Sequence, residues 1–319
     1  VTTALDLIER VYLRATAGVS EAFVQFAASV NASTQGATDT VQLSGAQIQG
    51  ISVGSRLSSG LEIMLVTEFS TSTNVAQVIR GYNGSQATSH ALNDIVYLNP
   101  EFTYFDILTA INDDLDDISG MGLVRLGNAN VTYVPVFQGF DLGVISSNYI
   151  EILNIRYQEA TPVHRLPRIY EFDESRNLSD SYFPSGQGVV VYEGGFAGKP
   201  MMIQYAAPFL PLVNLTDSVT QTPTANDPAP PYNTWGTTTT VANLPQTATD
   251  IPVLGALYRL TQPREIQRND MGSQPEPRKA QEVPFGSVAG SVNPLLQERA
   301  RRIGVEIRRQ RKQIPQRRR

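Results

Sequence analysis

Cysteine is absent from the chain, which excludes disulfides, thiolate metal sites and a cysteine nucleophile. Histidine occurs only twice, as His90 and His164, leaving little for a histidine-based metal site or a Ser–His hydrolase. Charged residues make up 17% of the 319 positions, against about 25% in ordinary soluble proteins. No apolar run is long enough to span a membrane, and the N-terminus lacks the basic-then-apolar layout of a signal peptide. These absences give the expectation of a soluble chain with no Sec-type export signal and no membrane partner. What is present is 41% apolar residues, 24 glycines and 20 prolines, a composition that suits β structure with long polar loops and a real core.

The formal net charge of −5 hides an asymmetry. Residues 286–319 carry ten Arg or Lys against Glu298 and Glu306, so that segment is +8 and the rest −13. A basic arm on an acidic body favours contact with an anion, either nucleic acid or the acidic surface of another protein. The arm residues are Arg299, Arg301, Arg302, Arg308, Arg309, Arg311, Lys312, Arg317, Arg318 and Arg319.

Periodicity divides the chain. Residues 1–19 hold an amphipathic helix with a Thr cap and Leu5, Ile8 and Tyr12 on one face. Short strand-like runs separated by turn signals make 20–100 a small β domain. In 101–122 a helix from about Thr103 to Ile118 carries Phe105, Leu108, Ile111, Leu115 and Ile118 as a stripe. Its other face carries Asp106, Asp113, Asp114, Asp116 and Asp117, and Gly120 supplies its stop. A stronger β signal over 123–213 suggests an antiparallel sandwich. Residues 214–249, rich in Thr, Pro and Asn, read as a surface loop. Asp250 then opens a helix with Val253, Leu257 and Leu260 on one face, and 250–291 is this core helix with a connector. In 292–319 Asn293 caps a last helix, Pro294 takes its first position, and Leu296, Ala300, Ile303 and Ile307 form its stripe. The expected class is α+β: a small helical core built from four dispersed helices, two inserted antiparallel β domains (the second a β-sandwich) and a basic C-terminal helix or arm. Helices this short are marginal alone, so they need each other or a neighbouring subunit.

Few constellations carry chemistry. Asp113-Asp114-Leu115-Asp116-Asp117 has the look of an aspartate-rich magnesium motif. No second acidic motif or phosphate loop accompanies it, so it reads as a solvated acidic face. Gly50-Ile51-Ser52-Val53-Gly54 matches G-x-S-x-G, but the string sits among β segments with no helix after Ser52. His90 and His164 read as loop residues with local hydrogen bonds. No catalytic residue, metal or cofactor is expected.

Three stretches carry a resemblance. Arg80-Gly81-Tyr82-Asn83-Gly84-Ser85 with His90 resembles a strand-turn signature of tailed-phage structural proteins. Ile107-Leu108-Thr109-Ala110-Ile111-Asn112-Asp113 resembles a helix common in phage head-to-tail connectors. Val253 to Leu260, followed by Arg264-Glu265-Ile266, Glu282-Val283-Pro284 and the Arg-rich helix, resembles the C-terminal half of adaptors from phages of actinobacteria. The resemblance implies a non-enzymatic head-to-tail adaptor in the virion neck, assembled in the host cytoplasm as a ring of twelve copies. It also implies docking on the portal protein, a contact with the next neck or tail protein, and double-stranded DNA passing non-specifically through the lumen. In that setting the basic arm would contact the portal, a neighbour or DNA, and Phe105, Leu108, Ile111, Leu115, Ile118, Leu257, Leu260, Leu296, Ile303 and Ile307 would pack the ring's core. Compact adaptors lack the two β insertions found here. The alternatives are a stopper, tail terminator or decoration protein. A receptor- or carbohydrate-binding protein is another, using Tyr182, Phe183, Tyr192, Tyr232 and Trp235, and a Ser52 hydrolase is the last.

Overall fold

The computed structural model describes residues 2–18, 21–132, 139–145, 149–157, 168–169, 171–176, 183–192, 200–220, 241–272 and 287–313. It is a mixed α/β chain with a closed antiparallel barrel, two further antiparallel sheets and four α-helices among these residues.

Helix α1 (Ala4–Ala15) begins with a capping box, in which Asp6 N–H donates to Thr3 Oγ1 at 3.2 Å and Thr3 N–H donates to Asp6 Oδ2 at 2.8 Å. The box satisfies two amides of the first turn, and the Ala4 and Leu5 amides donate to the carbonyls of Asp217 and Leu215. Its buried face is Ala4, Leu7, Ile8 and Val11, so the stripe is rotated from the Leu5–Ile8–Tyr12 expectation. Tyr12 lies at the rim instead, donating to Glu21 at 2.8 Å and meeting Tyr97 and Tyr104 edge-on or tilted. These rings join the helices to the barrel.

The barrel comprises β1 (Phe23–Phe26), β2 (Thr38–Ser44), β3 (Arg56–Ser59), β4 (Glu62–Ser70), β5 (Val75–Ile79) and β6 (Ile95–Leu98). Strand order is β1-β2-β5-β4-β3-β6, and β6 pairs with β1 to close it. Closure removes every sheet edge, and alternate side chains such as Val24, Phe26, Val41, Leu43, Met64, Val66, Val78 and Val96 fill the interior. Strand β2 is polar on its outer side, which is why a search for apolar runs passes over it.

Helix α2 (Tyr104–Gly120) starts at a second capping box between Thr103 and Asp106. It runs two residues past the expected Ile118 and ends at Gly120, which is itself helical; the left-handed residue is Gly122, at φ +95°. Strand β7 (Arg125–Thr132) leads into a four-stranded sheet with β13 (Pro200–Ala207), β9 (Glu151–Tyr157) and β10 (Arg168–Ile169). A three-stranded sheet is formed by β8 (Gly139–Asp141), β12 (Gln187–Val191) and β11 (Phe172–Arg176). Both sheets contribute to one buried cluster that includes Val131, Phe140, Ile152, Ile155, Val189, Val191, Met201 and Ile203.

The expected surface loop at 214–249 is corrected at both ends. Strands β14 (Ser218–Thr220) and β15 (Val241–Leu244) pair in parallel, and Val219 and Leu244 are buried in the helical core. Apolar side chains at those two points draw the segment inward; residues 221–240 lie outside the described residues. Helices α3 (Asp250–Gly272) and α4 (Ser287–Gln313) complete the core. Helix α4 begins earlier than expected, so Asn293 is no cap and Pro294 lies inside the helix. One apolar cluster gathers Leu7, Ile8 and Val11 of α1, Ile107, Ile111, Leu115 and Ile118 of α2, Val253 and Leu257 of α3, and Ile303 of α4.

Candidate interaction surface on the basic C-terminal helix

Helix α4 lies against α3 and reaches α2 and the start of β7. Ile303 is buried in the helical core, with Leu295 and Ile307 partly buried beside it. Among the described residues, the remaining buried positions of α4 are Arg299, Glu306 and Gln310. The inward face is therefore turned from the expected Leu296–Ala300–Ile303–Ile307 stripe. Ala300 is exposed and Leu296 half-buried. Three polar residues at helical spacing from Ile303 form the rest of this face, and a search for apolar periodicity could not register them.

Each polar residue has an assigned place. Arg299 Nη2 lies 2.7 Å from Oδ1 of Asp114, which is 1% exposed. Glu306 accepts from Thr247 Oγ1 at 3.0 Å. Gln310 brackets the backbone of Val124, its Nε2 donating to the carbonyl and its Oε1 accepting from the amide. Arg302 pairs with Asp250 at 2.7 Å and donates to the Thr247 carbonyl.

The outward residues form a basic row. Arg301 is exposed and pairs with Glu298 one turn back. Arg308 donates to the Gly304 carbonyl of its own helix, Arg309 pairs with Glu306, and Arg311 and Lys312 are exposed. Arg317, Arg318 and Arg319 lie outside the described residues. Of the expected arm, Arg299 and Arg302 therefore serve to attach the helix, while Arg301, Arg308, Arg311 and Lys312 face outward.

Of the expected ring-core residues, Leu108, Ile111, Leu115, Ile118, Leu257 and Ile303 are buried within the single chain. Leu260 and Ile307 pack on the same cluster, and Phe105 is half-buried near the Gly84 turn of the barrel. These side chains pack the subunit itself, so a contact between subunits has to use other faces. The aspartate run is corrected too. Asp106 is a cap residue and Asp114 is buried, while Asp113, Asp116 and Asp117 are exposed. Asp117 pairs with Arg259 of α3. Among the described residues no three potential metal ligands gather. Ser52 is exposed in a turn before β3, with its hydroxyl 3.3 Å from that of Ser55. Phe183 is a buried residue and Tyr192 an exposed one bonded to Asp173. His164, Tyr182, Tyr232 and Trp235 lie outside the described residues.

His90, expected to make a local hydrogen bond, is hydrogen-bonded, but to a carboxylate 28 residues away. His90 is 7% exposed, stacks on Phe26 with ring centroids 5.0 Å apart, and places Nε2 at 2.7 Å from Glu62 Oε2. Glu62 and Arg80 are fully buried and form a fork, with Nε on Oε1 at 2.6 Å and Nη2 on Oε2 at 2.8 Å. The amides of Gly81 and Thr88 also donate to Glu62. Arg80 in turn donates to Asp39 and to the carbonyls of Asn31 and Thr88. Burial alone would raise the Glu62 carboxyl, yet hydrogen bonds from Arg80, His90 and Thr88 bring it down to about 2. The Arg80-Gly81-…-His90 string is thus the primary structure of one buried ionic knot. Gly81 is left-handed at φ +61°, and a Cβ there would lie 2.7 Å from the Ser85 carbonyl. Its partner Glu62 lies 18 residues from Arg80, so no local pattern could announce it. A knot this buried is structural. Comparison with protein-family models and with curated proteins finds no match.

Proposed function

We propose that this chain is a structural virion protein, a head-to-tail adaptor whose copies form a ring on the portal and join capsid to tail. The observation that carries this reading is α4. One face of this 27-residue helix closes the helical core, while Arg301, Arg308, Arg311 and Lys312 stay exposed on an otherwise acidic chain. A basic row on a helix attached to a rigid core suits an anionic docking surface, with charge directing the encounter and apolar burial completing it. The order of the three family-like stretches supports the same reading. In it the four helices form the hub of each subunit, the barrel and β-sandwich face outward, and DNA passes through the lumen without base recognition. The work is symmetric binding, with no catalysis.

The test is the mass and symmetry of the purified protein mixed with its cognate portal, by native mass spectrometry and cryo-EM class averages. A twelvefold ring stacked on the portal is expected. A monomer or hexamer that ignores the portal overturns the reading and favours a terminator or receptor-binding role. Deleting residues 308–319 should weaken portal attachment while both β regions stay folded.

A further inference from the structure

The four helices are not attached alike. Helix α1 buries four residues, all apolar, whereas the buried positions of α4 among the described residues are Arg299, Ile303, Glu306 and Gln310, with Leu295 and Ile307 only partly buried beside them. A helix whose buried positions are mostly polar gains less from the hydrophobic effect than an apolar one, so its attachment depends also on how well those polar contacts are satisfied. Those of Glu306 and Gln310 are satisfied, by Thr247 and by the Val124 backbone, but those around Arg299 are not. Asp114 Oδ2, Arg299 Nε and Nη2, and Arg302 Nε are buried without a hydrogen-bond partner. The Arg299–Asp114 approach is close in distance but outside hydrogen-bonding geometry. On its other side the Asp114 carboxylate lies against Gly255 of α3, where an added Cβ would overlap it. No water-facing route remains for a carboxylate 1% exposed.

We propose that α4 is a releasable arm, and that its docking onto α2 and α3 is coupled to the uptake of one proton by Asp114. A buried carboxylate short of donors is costly when charged and cheaper when neutral. The charged groups acting on it are Arg299 from α4, Arg259 from α3 and Asp117 from its own helix. Burial outweighs both arginines and raises the Asp114 carboxyl from 3.8 to about 6. With α4 away, the carboxylate meets water and returns to the ordinary range. The docked form therefore binds the proton more tightly. Docking strengthens as pH falls through about 6 and weakens as pH rises above it. Release at neutral pH also frees Arg299 and Arg302, which then join Arg301, Arg308, Arg311 and Lys312 as a longer basic row for an anionic partner.

Hydrogen exchange on the full-length chain tests this, with rates corrected for their intrinsic pH dependence and strand β4 as the reference. Protection of α4 amides at 299–310 should fall about tenfold between pH 5 and 7.5, while β4 stays level. Asp114→Asn, which keeps the shape and cannot ionise, should abolish the pH dependence. Arg302→Gln should loosen α4 at every pH and leave the dependence intact. Protection independent of pH in the native chain, or an unchanged dependence in Asp114→Asn, overturns the proposal. Should Asp114→Asn not fold, the carbon-13 titration of the native Asp114 carboxyl decides. A midpoint near 6 supports the coupling, and a midpoint near 4 ends it.

Discussion

The barrel buries Glu62 beside Arg80 and the helical hub buries Asp114 beside Arg299, and the two pairs behave oppositely. Glu62 accepts five hydrogen bonds, from Arg80 Nε and Nη2, the Gly81 and Thr88 amides and His90. Its carboxyl is brought down to about 2. Asp114 has Arg299 at 2.7 Å in poor geometry and a second oxygen with no partner, and its carboxyl is raised to about 6. Both carboxylates are nearly inaccessible to solvent, so depth of burial does not separate them. The number of donors does. In the barrel, strand pairing fixes β4 beside β5 and lets a turn wrap the carboxylate with amides. In the hub, three helix faces meet, and helix backbones have no spare N–H to offer.

Breaking each pair should expose the difference most plainly. Arg80→Met leaves Glu62 buried among donors too few to hold its charge, and should cost the barrel about 3–5 kcal/mol, typical of a broken buried pair. Arg299→Met should cost much less at mildly acidic pH, because Asp114 then takes up a proton and becomes neutral. Urea unfolding followed by near-UV circular dichroism at pH 5.5 compares the two. Equal losses would mean that the hub pair is as well bonded as the barrel pair.

Titration sharpens the same contrast through its sign. The Glu62 carboxyl is lowered from 4.5 to about 2, so its contribution is present above 4.5 and lost as pH falls through about 2. That loss is worth about 3 kcal/mol. The Asp114 carboxyl is raised from 3.8 to about 6, so its contribution is present below 3.8 and lost as pH rises through about 6. Relative to Asp114→Asn, the native chain should therefore lose about 2–3 kcal/mol between pH 4 and 7.5. Relative to Glu62→Gln, it should lose stability in the other direction, between pH 5 and 2. Two difference curves of the same slope would refute the assignment of opposite shifts.

A smaller effect is expected at the glycine that lets the hub pair exist. An added methyl at Gly255 would overlap the Asp114 carboxylate, forcing α2 and α3 apart. Gly255→Ala should cost about 1–3 kcal/mol, as overpacked cores do. Gly255→Ala combined with Asp114→Ala should recover most of that, since the smaller side chain clears the space. A double variant no better than the single one would show that the glycine serves backbone conformation and not close approach.

How legible these features were depends on how far apart their parts lie. The caps of α1 and α2 are three-residue patterns, Thr3 with Asp6 and Thr103 with Asp106, and both capping boxes form. Strands such as β4 and β6 follow apolar runs and were visible for the same reason. The buried faces of α1 and α4 were misplaced by a fraction of a turn. Periodicity scores only apolar residues, and the inward face of α4 is mostly Arg299, Glu306 and Gln310. The exposed basic row was visible as composition, and its division into attaching and outward residues was not. That division depends on Asp114, Asp250 and Thr247, which lie 52 or more residues away along the chain. The ionic knot of the barrel was visible only as a string of residue types, because Glu62 sits outside it.

The smallest effect on stability is expected at the outward row, and that is its diagnostic value. Arg301 is 61% exposed and pairs with Glu298 within its own helix, where solvent screens the attraction. Such pairs contribute next to nothing to folding. Arg301→Ala should therefore leave the thermal midpoint unchanged, whereas Arg299→Met should lower it. Under the adaptor reading the order reverses for partner binding. Arg301→Ala, together with Arg308→Ala, should weaken docking on an anionic partner and flatten its salt dependence, because two charges no longer act across the contact. If both substitutions leave binding and its salt dependence intact, the exposed row of α4 is a solvated face, and the partner meets another part of the chain.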